Sequence, residues 1–228
     1  MRIRHAALTA LTALTIVASV QATVLTFDIT GSTFGNDSPI PATYGNRASG
    51  ASQGGPGGLT FGYGNFGEGF TPNVAVSYGQ PASFANTGYG ALVNVAYGSG
   101  GVFSMTFTAD PGFNVSLYSF DLAGLDQSYQ INSVSVLSGA TTLFTQSNVI
   151  VNGSSNGTGV TSFAFNPILT RSTLTVQVNA SNLGANGANI GIDNIRIAQV
   201  VVPEPSVTAL AIAGAALGVA LTRRFRRS

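Results

Sequence analysis

Carboxylates and phenols are the groups with chemistry to offer between residues 23 and 202 of this chain. There is no cysteine, and the single histidine is His5. The acids of that stretch are Asp28, Asp37, Glu68, Asp110, Asp121, Asp126 and Asp193, set against Arg47, Arg171 and Arg196, with no lysine anywhere. Cys/His zinc sites, thiol catalysis, disulfides and any nucleophile that needs a histidine base are therefore excluded there. What is left is carboxylate catalysis, calcium held through oxygen, or binding without catalysis. Hydrolysis of a glycosidic bond needs two carboxylates at the right separation, and Glu68 and the pair Asp121 and Asp126 are the candidates. Acids so few and so scattered fit surface groups better, so the chain is read as a non-enzyme. The lack of a basic patch also argues against a nucleic-acid partner.

One aspartate stands out. Alternation along residues 190–197 puts Asp193 on the side of Ile195 and Ile197, while Ile190 and Ile192 share a side with Asn194 and Arg196. Either a polar group faces inward or a bulge intervenes. A buried carboxylate needs a cation or several donors, which makes Asp193 a candidate ligand of a structural calcium. A turn or backbone hydrogen bond without metal is the alternative. Asp28 is a weaker second ligand: first and last strands often pair, but Asp28 lies opposite Leu25, Phe27 and Ile29.

Five of the seven tyrosines precede glycine: Tyr44, Tyr63, Tyr78, Tyr89 and Tyr97. On loops, such rings stack against sugar faces. At strand ends, tyrosine closes the strand and glycine makes the turn. The absence of tryptophan favours the second reading, and both stay open.

The elements that must position these groups are strands. Residues 23–29 alternate with Leu25, Phe27 and Ile29 on one face. The same period of two recurs at Phe103, Met105 and Phe107, at Tyr118, Phe120 and Leu122, at Val134 and Val136, at Phe163 and Phe165, and at Leu174, Val176 and Val178. Turns such as Asp110-Pro111-Gly112 separate them. Residues 31–101 hold eighteen of the twenty-nine glycines and read mostly as loop, with short strands at 73–78 and 91–97. The expected fold is all-β, an antiparallel sandwich of jelly-roll type.

Both ends carry targeting patterns. Arg2, Arg4 and His5 precede an apolar stretch from Ala6 to Val20, and Val20-Gln21-Ala22 suits a signal peptidase, giving a signal peptide over 1–22 and a mature start at Thr23. At the other end come Pro203-Glu204-Pro205, an uncharged apolar segment giving a transmembrane helix at 206–222, and Arg223, Arg224, Arg226 and Arg227, which would hold its end in the cytoplasm. At 1.5 Å per residue that helix is roughly 24 Å long, short of a hydrocarbon core of about 30 Å, as suits a temporary anchor. A plain C-terminal anchor with a proline-rich hinge is the alternative.

This three-part tail resembles the PEP-CTERM signal of Gram-negative bacteria that make exopolysaccharide. The resemblance implies recognition by exosortase, a membrane-embedded cysteine transpeptidase, with cleavage near the Pro-Glu-Pro motif. Residues 41–48, 71–78, 119–125 and 191–197 also resemble stretches common in PEP-CTERM ectodomains of unassigned activity. The last of these is similar to the closing strand of jelly-roll carbohydrate-binding modules, whose equivalent aspartate often helps to hold calcium; this carries over to Asp193 alone.

The organisation expected is a signal peptide at 1–22, a sandwich at 23–199 and a sorting signal at 200–228. The implied route runs through the inner membrane, as a transient anchor, to the cell surface or extracellular matrix. The expected function is non-catalytic association with exopolysaccharide or biofilm through carbohydrate binding. A self-associating matrix protein, whose edge strands lack protective lysine, and a carboxylate-dependent glycoside hydrolase are the alternatives.

Overall fold

The computed structural model describes residues 21–30, 37–63, 69–79, 82–85, 88–98, 101–153, 159–202 and 214. Residues 1–20, Glu68, the Pro203-Glu204-Pro205 motif, the 206–222 segment except Gly214, and Arg223, Arg224, Arg226 and Arg227 lie outside the described residues. Among those described, no helix is long and apolar enough to cross a membrane.

The described chain is built from β1 (Gln21–Thr30), β2 (Ser52–Gly54), β3 (Thr60–Tyr63), β4 (Val74–Tyr78), β5 (Ala82–Ala85), β6 (Val95–Gly98), β7 (Val102–Ala109), β8 (Phe113–Gly124), β9 (Tyr129–Ser138), β10 (Thr141–Val151), β11 (Thr161–Arg171), β12 (Thr173–Asn179) and β13 (Ile190–Val201). Short 3-10 turns occupy Pro56–Gly58 and Ser181–Asn189. One sheet runs β11-β8-β13-β1-β3-β2, with β6 joined to β13 and β5 to β6; the other runs β10-β9-β12-β7-β4. The strand pairs are antiparallel throughout. This is an all-β sandwich, as the period of two requires.

The core lies between the sheets. Phe103, Met105 and Phe107 of β7 and Leu174, Val176 and Val178 of β12 are buried, with the residues between them left half-buried or exposed. They share one apolar cluster with Leu117, Phe120 and Leu122 of β8 and Ile192, Ile195 and Ile197 of β13. Full burial of each such side chain stabilises by about 1.5–3 kcal/mol. A second, smaller cluster joins Ala85, Tyr89, Leu92, Val95 and Ala123. It forms where the β5–β6 hairpin and the 88–94 loop lie against the larger sheet as a flap.

Three differences from the sequence reading have physical causes. Residues 31–101 contain five short strands, β2 to β6, of which β4 falls where a strand was expected; β2–β3 and β5–β6 are local hairpins, tied into the sandwich where β3 pairs with β1, β4 with β7 and β6 with β13. The strand expected at 91–97 is confined to Val95–Gly98, because the chain turns before it with the Leu92 amide on the Tyr89 carbonyl at 3.1 Å. The eleven-residue β10 was not anticipated: as an edge strand it is mostly exposed, so no alternation marks it. At the domain ends, β1 begins at Gln21, paired with Gln199, and β13 runs on to Val201.

Candidate functional site: a tyrosine-lined cleft

The five Tyr-Gly tyrosines fall into two groups. Tyr44 and Tyr63 are completely buried. The Tyr44 ring lies 5.1 Å from that of Phe27, 5.3 Å from Phe61, 5.4 Å from Tyr63 and 5.8 Å from Phe84. Its hydroxyl accepts the Phe27 amide at 2.6 Å, the Tyr63 hydroxyl accepts the Gly45 amide at 2.9 Å, and the Tyr78 hydroxyl donates to the Tyr44 carbonyl at 3.1 Å. Burial pushes all three phenols above their ordinary pKa. A ring enclosed on both faces has no platform for a sugar, so the stacking role is withdrawn for Tyr44 and Tyr63. Tyr78 is half-buried, with its hydroxyl turned inward. These three bind the 41–47 loop to β1, β3 and β4. The sequence required this locally: Gly45 has φ of 71°, a conformation open to glycine at little cost.

Tyr89 and Tyr97 belong elsewhere. With Asp37, Ala85, Leu125, Ala188 and Asn189 they line a cleft of about 190 Å³. Pockets for drug-sized ligands span roughly 300–1,000 Å³, so this one suits a single small ring or head group. The flap supplies Tyr89 and Tyr97, the turn after β8 supplies Leu125, and the end of the 3-10 segment before β13 supplies Ala188 and Asn189. Tyr97 donates to Asp37 Oδ1 at 2.5 Å; burial and then this bond to a carboxylate push its phenol up to about 12. Tyr89 is nearly covered and donates to the Ala188 carbonyl at 3.4 Å, and burial raises its pKa. Gly191 lets it lie so close: a Cβ there would meet the Tyr89 ring at 2.8 Å. Asn189 donates to Tyr129 Oη at 2.9 Å, which fixes its amide at the rim. Tyr97, half-buried, and the exposed Asp37 are the groups a ligand can reach. Asp37 and Asn189 had no signal in the sequence, since Asp37 is sixty residues from Tyr97 and Asn189 nearly a hundred.

The alternation conflict at Asp193 is resolved by a bulge. Asn194 takes φ of 51°, and the β13–β8 register shifts between Asp193 and Arg196. Ile190 and Ile192 before the bulge, and Ile195 and Ile197 after it, can thus all enter the core. Asp193 falls on the other face, in line with Gly191 beneath the flap, and is still 5% exposed. The bulge marks a fork, where β13 exchanges β6, paired at Ile192 with Ala96, for β1, paired from Leu25 with Ile195 onward. Asp193 Oδ1 accepts the Asn194 amide at 2.6 Å, Asn194 Nδ2 donates to Asp121 at 3.0 Å, and Asn94 Nδ2 donates to Asp28 at 2.6 Å. Burial first, then the charges of Asp28 and Asp121 against the lowering effect of the Asn194 amide, leave Asp193 with a pKa of about 8. Asp28 is exposed, as its place opposite the buried Leu25 and Phe27 requires; a second bulge, at Phe27 with φ of 53°, shifts the β1–β3 register beyond Leu25. Among the described residues no three His, Cys, Asp or Glu side chains are grouped to hold a metal. The acids named for hydrolysis are apart in role: Asp121 is engaged by Asn194, and Asp126 sits in a turn with φ of 58°, its amide on the Gly88 carbonyl.

The described residues form an all-β sandwich that carries a small aromatic and acidic recess beneath a flap. No protein-family model and no curated protein matches the chain. Among solved structures, a Stig cyclase from Fischerella sp. TAU is similar at 16% identity and a TM-score of 0.33, over 57% of this chain and 75% of that one. A chitosan-binding module from a chitosanase/glucanase of Paenibacillus sp. IK-5 is similar at 12% identity and a TM-score of 0.24, over 56% and 95%. Likenesses this slight define neither a shared fold nor a shared ligand.

Proposed function

We propose that this chain is an exported, non-catalytic carbohydrate-binding protein of the PEP-CTERM type, released by signal peptidase, held transiently in the inner membrane by its tail, and sorted by exosortase to the cell surface or matrix. The sorting route rests on Pro203-Glu204-Pro205, the apolar segment and the terminal arginines, all read from sequence. The jelly-roll reading is supported by the connectivity: from β7 onward the chain changes sheet at every step except the β9–β10 hairpin. The binding role is carried by one observation, the cleft in which the Tyr97 ring stands beside the Asp37 carboxylate and the Asn189 amide. Such a recess offers a sugar a flat apolar face and hydrogen-bonding groups at its edge.

Structural calcium at Asp193 is retained as part of the proposal. The ion takes six to eight oxygen ligands, so backbone and amide oxygens would have to complete the set. The test is retention of residues 23–202 on the exopolysaccharide of the producing organism, with calcium and then with a chelator. Saturable retention, reduced at least tenfold by Tyr97→Ala with the melting temperature kept, is expected. Retention that survives Tyr97→Ala would contradict the cleft as the site.

Self-association has one observation in its favour. β10 ends its sheet with eleven residues that include no charge, and Ile150 on it is exposed. Sedimentation that depends on protein concentration without glycan would favour that reading.

A further inference from the structure

The cleft sits at one pole of a lopsided charge distribution. The three arginines between residues 23 and 202 all lie away from it. Arg47 is held by Asp110 through two bonds, at 2.5 and 2.7 Å, beside the start of β8. Arg171 is in register with Val115 near that same start and donates to the Thr170 carbonyl. Arg196 is midway along β13, its guanidinium 5.6 Å from the centre of the Tyr118 ring. From Phe113, β8 runs twelve residues, roughly 35 Å, to Gly124, and the next residue, Leu125, lines the cleft. At that far end Asp37 forms part of the wall and Asp126 follows Leu125, both close enough to act on the Tyr89 phenol. Asp28 and Asp121 stand at the neighbouring fork. No arginine is among the described residues that line the cleft.

A recess walled by tyrosine and acid, with two of the three arginines near the far end of β8 and the third midway along β13, discriminates by charge. Glycans built from uronic acids or carrying acidic substituents are repelled by like charge. A neutral hexose gains hydrogen bonds that an asparagine in place of Asp37 would supply as well. A protonated amine gains the carboxylate's attraction in addition, and the face of a tyrosine ring also favours a cation. We propose that the cleft takes a sugar unit bearing a free ammonium group, the ammonium at Asp37 and the ring against Tyr97, so that the glycan is one with unacetylated amino-sugar residues. This rests on the carbohydrate-binding reading and narrows it.

The test uses the full chain and three labelled hexamers: β-1,4-linked glucosamine, its fully N-acetylated counterpart, and a neutral β-1,4-glucan, each titrated near pH 6 at low salt. The free-amine hexamer is expected to bind roughly tenfold more tightly than the other two, with the advantage shrinking as salt rises. Asp37→Asn is expected to bring the three level. Asp110→Asn, which changes net charge equally but at the other pole, is expected to preserve the preference. Equal affinity of the wild-type chain for all three hexamers would overturn amine selectivity and leave the carbohydrate reading standing. An Asp110→Asn loss as large as that of Asp37→Asn would overturn it in favour of bulk charge attraction. Binding of none of the three would overturn both readings.

Discussion

Asp193 is an acid whose chemistry folding alters strongly. Its pKa of about 8 compares with an ordinary aspartate near 4, so the folded state holds this proton more firmly than the unfolded chain. The linked stability is fully present below about pH 4, declines as pH rises through the range up to about 8, and is then level. Asp193→Asn keeps an oxygen for the Asn194 amide and removes the charge. It is expected to raise stability at pH 8 by about 1–3 kcal/mol, leaving little change at pH 4. Thermal melts of both proteins at pH 4, 6 and 8 check this. A bound calcium would reverse the sign, because the ion favours the ionised carboxylate. A wild-type melting temperature that rises with pH when calcium is added, and falls with pH under chelator, would therefore establish the metal. The conflict at this residue was legible in the sequence, because four isoleucines around one aspartate cannot all face inward on a regular strand. A bulge was one of the two resolutions the sequence allowed; the burial of Asp193 on the other face was not legible, since its neighbours Asp28 and Asp121 come from distant strands.

At the scale of elements, bulges and the tyrosines that serve them explain the loop-rich half. The bulge at Phe27 turns its amide away from the regular ladder, and Tyr44 satisfies it from another part of the chain. Tyr44→Phe keeps the ring packing and leaves that buried amide without its partner, at an expected cost of about 1–3 kcal/mol. Chemical denaturation at unchanged m-value is the measurement; a cost under about 0.5 kcal/mol would mean that the amide is satisfied otherwise. The strands that sequence reveals are those with one face on the core, such as β7 and β12. β10 escapes because most of its edge-strand residues are exposed and only Val149 and Val151 are fully buried, and β2, β3 and β5 because four residues or fewer form a strand only where a partner awaits them. The Tyr-Gly pairs were visible as a motif, but whether a ring ends in the core or on a cleft depends on what packs over it from afar.

Across the whole molecule, a weakly charged sandwich keeps its buried tyrosines and its cleft in different places. The 41–47 loop with its interlocked tyrosines closes one part of the fold, and the flap builds a cleft at the end of β8. Asp37 and Asp126 lie at that end and Asp28 and Asp121 at the neighbouring fork, whereas Asp110 sits with Arg47 beside the start of β8; the proposed docking of a ligand in the cleft rests on this distribution. None of this was legible in the composition, where seven acids and three arginines read as sparse surface charge. The most direct measurement of the central claim is hydrogen–deuterium exchange of the protein with and without a saturating glycan. The account predicts slowed exchange confined to residues 88–98, 124–126 and 187–189. Slowing along β10 instead, or none anywhere, would contradict it.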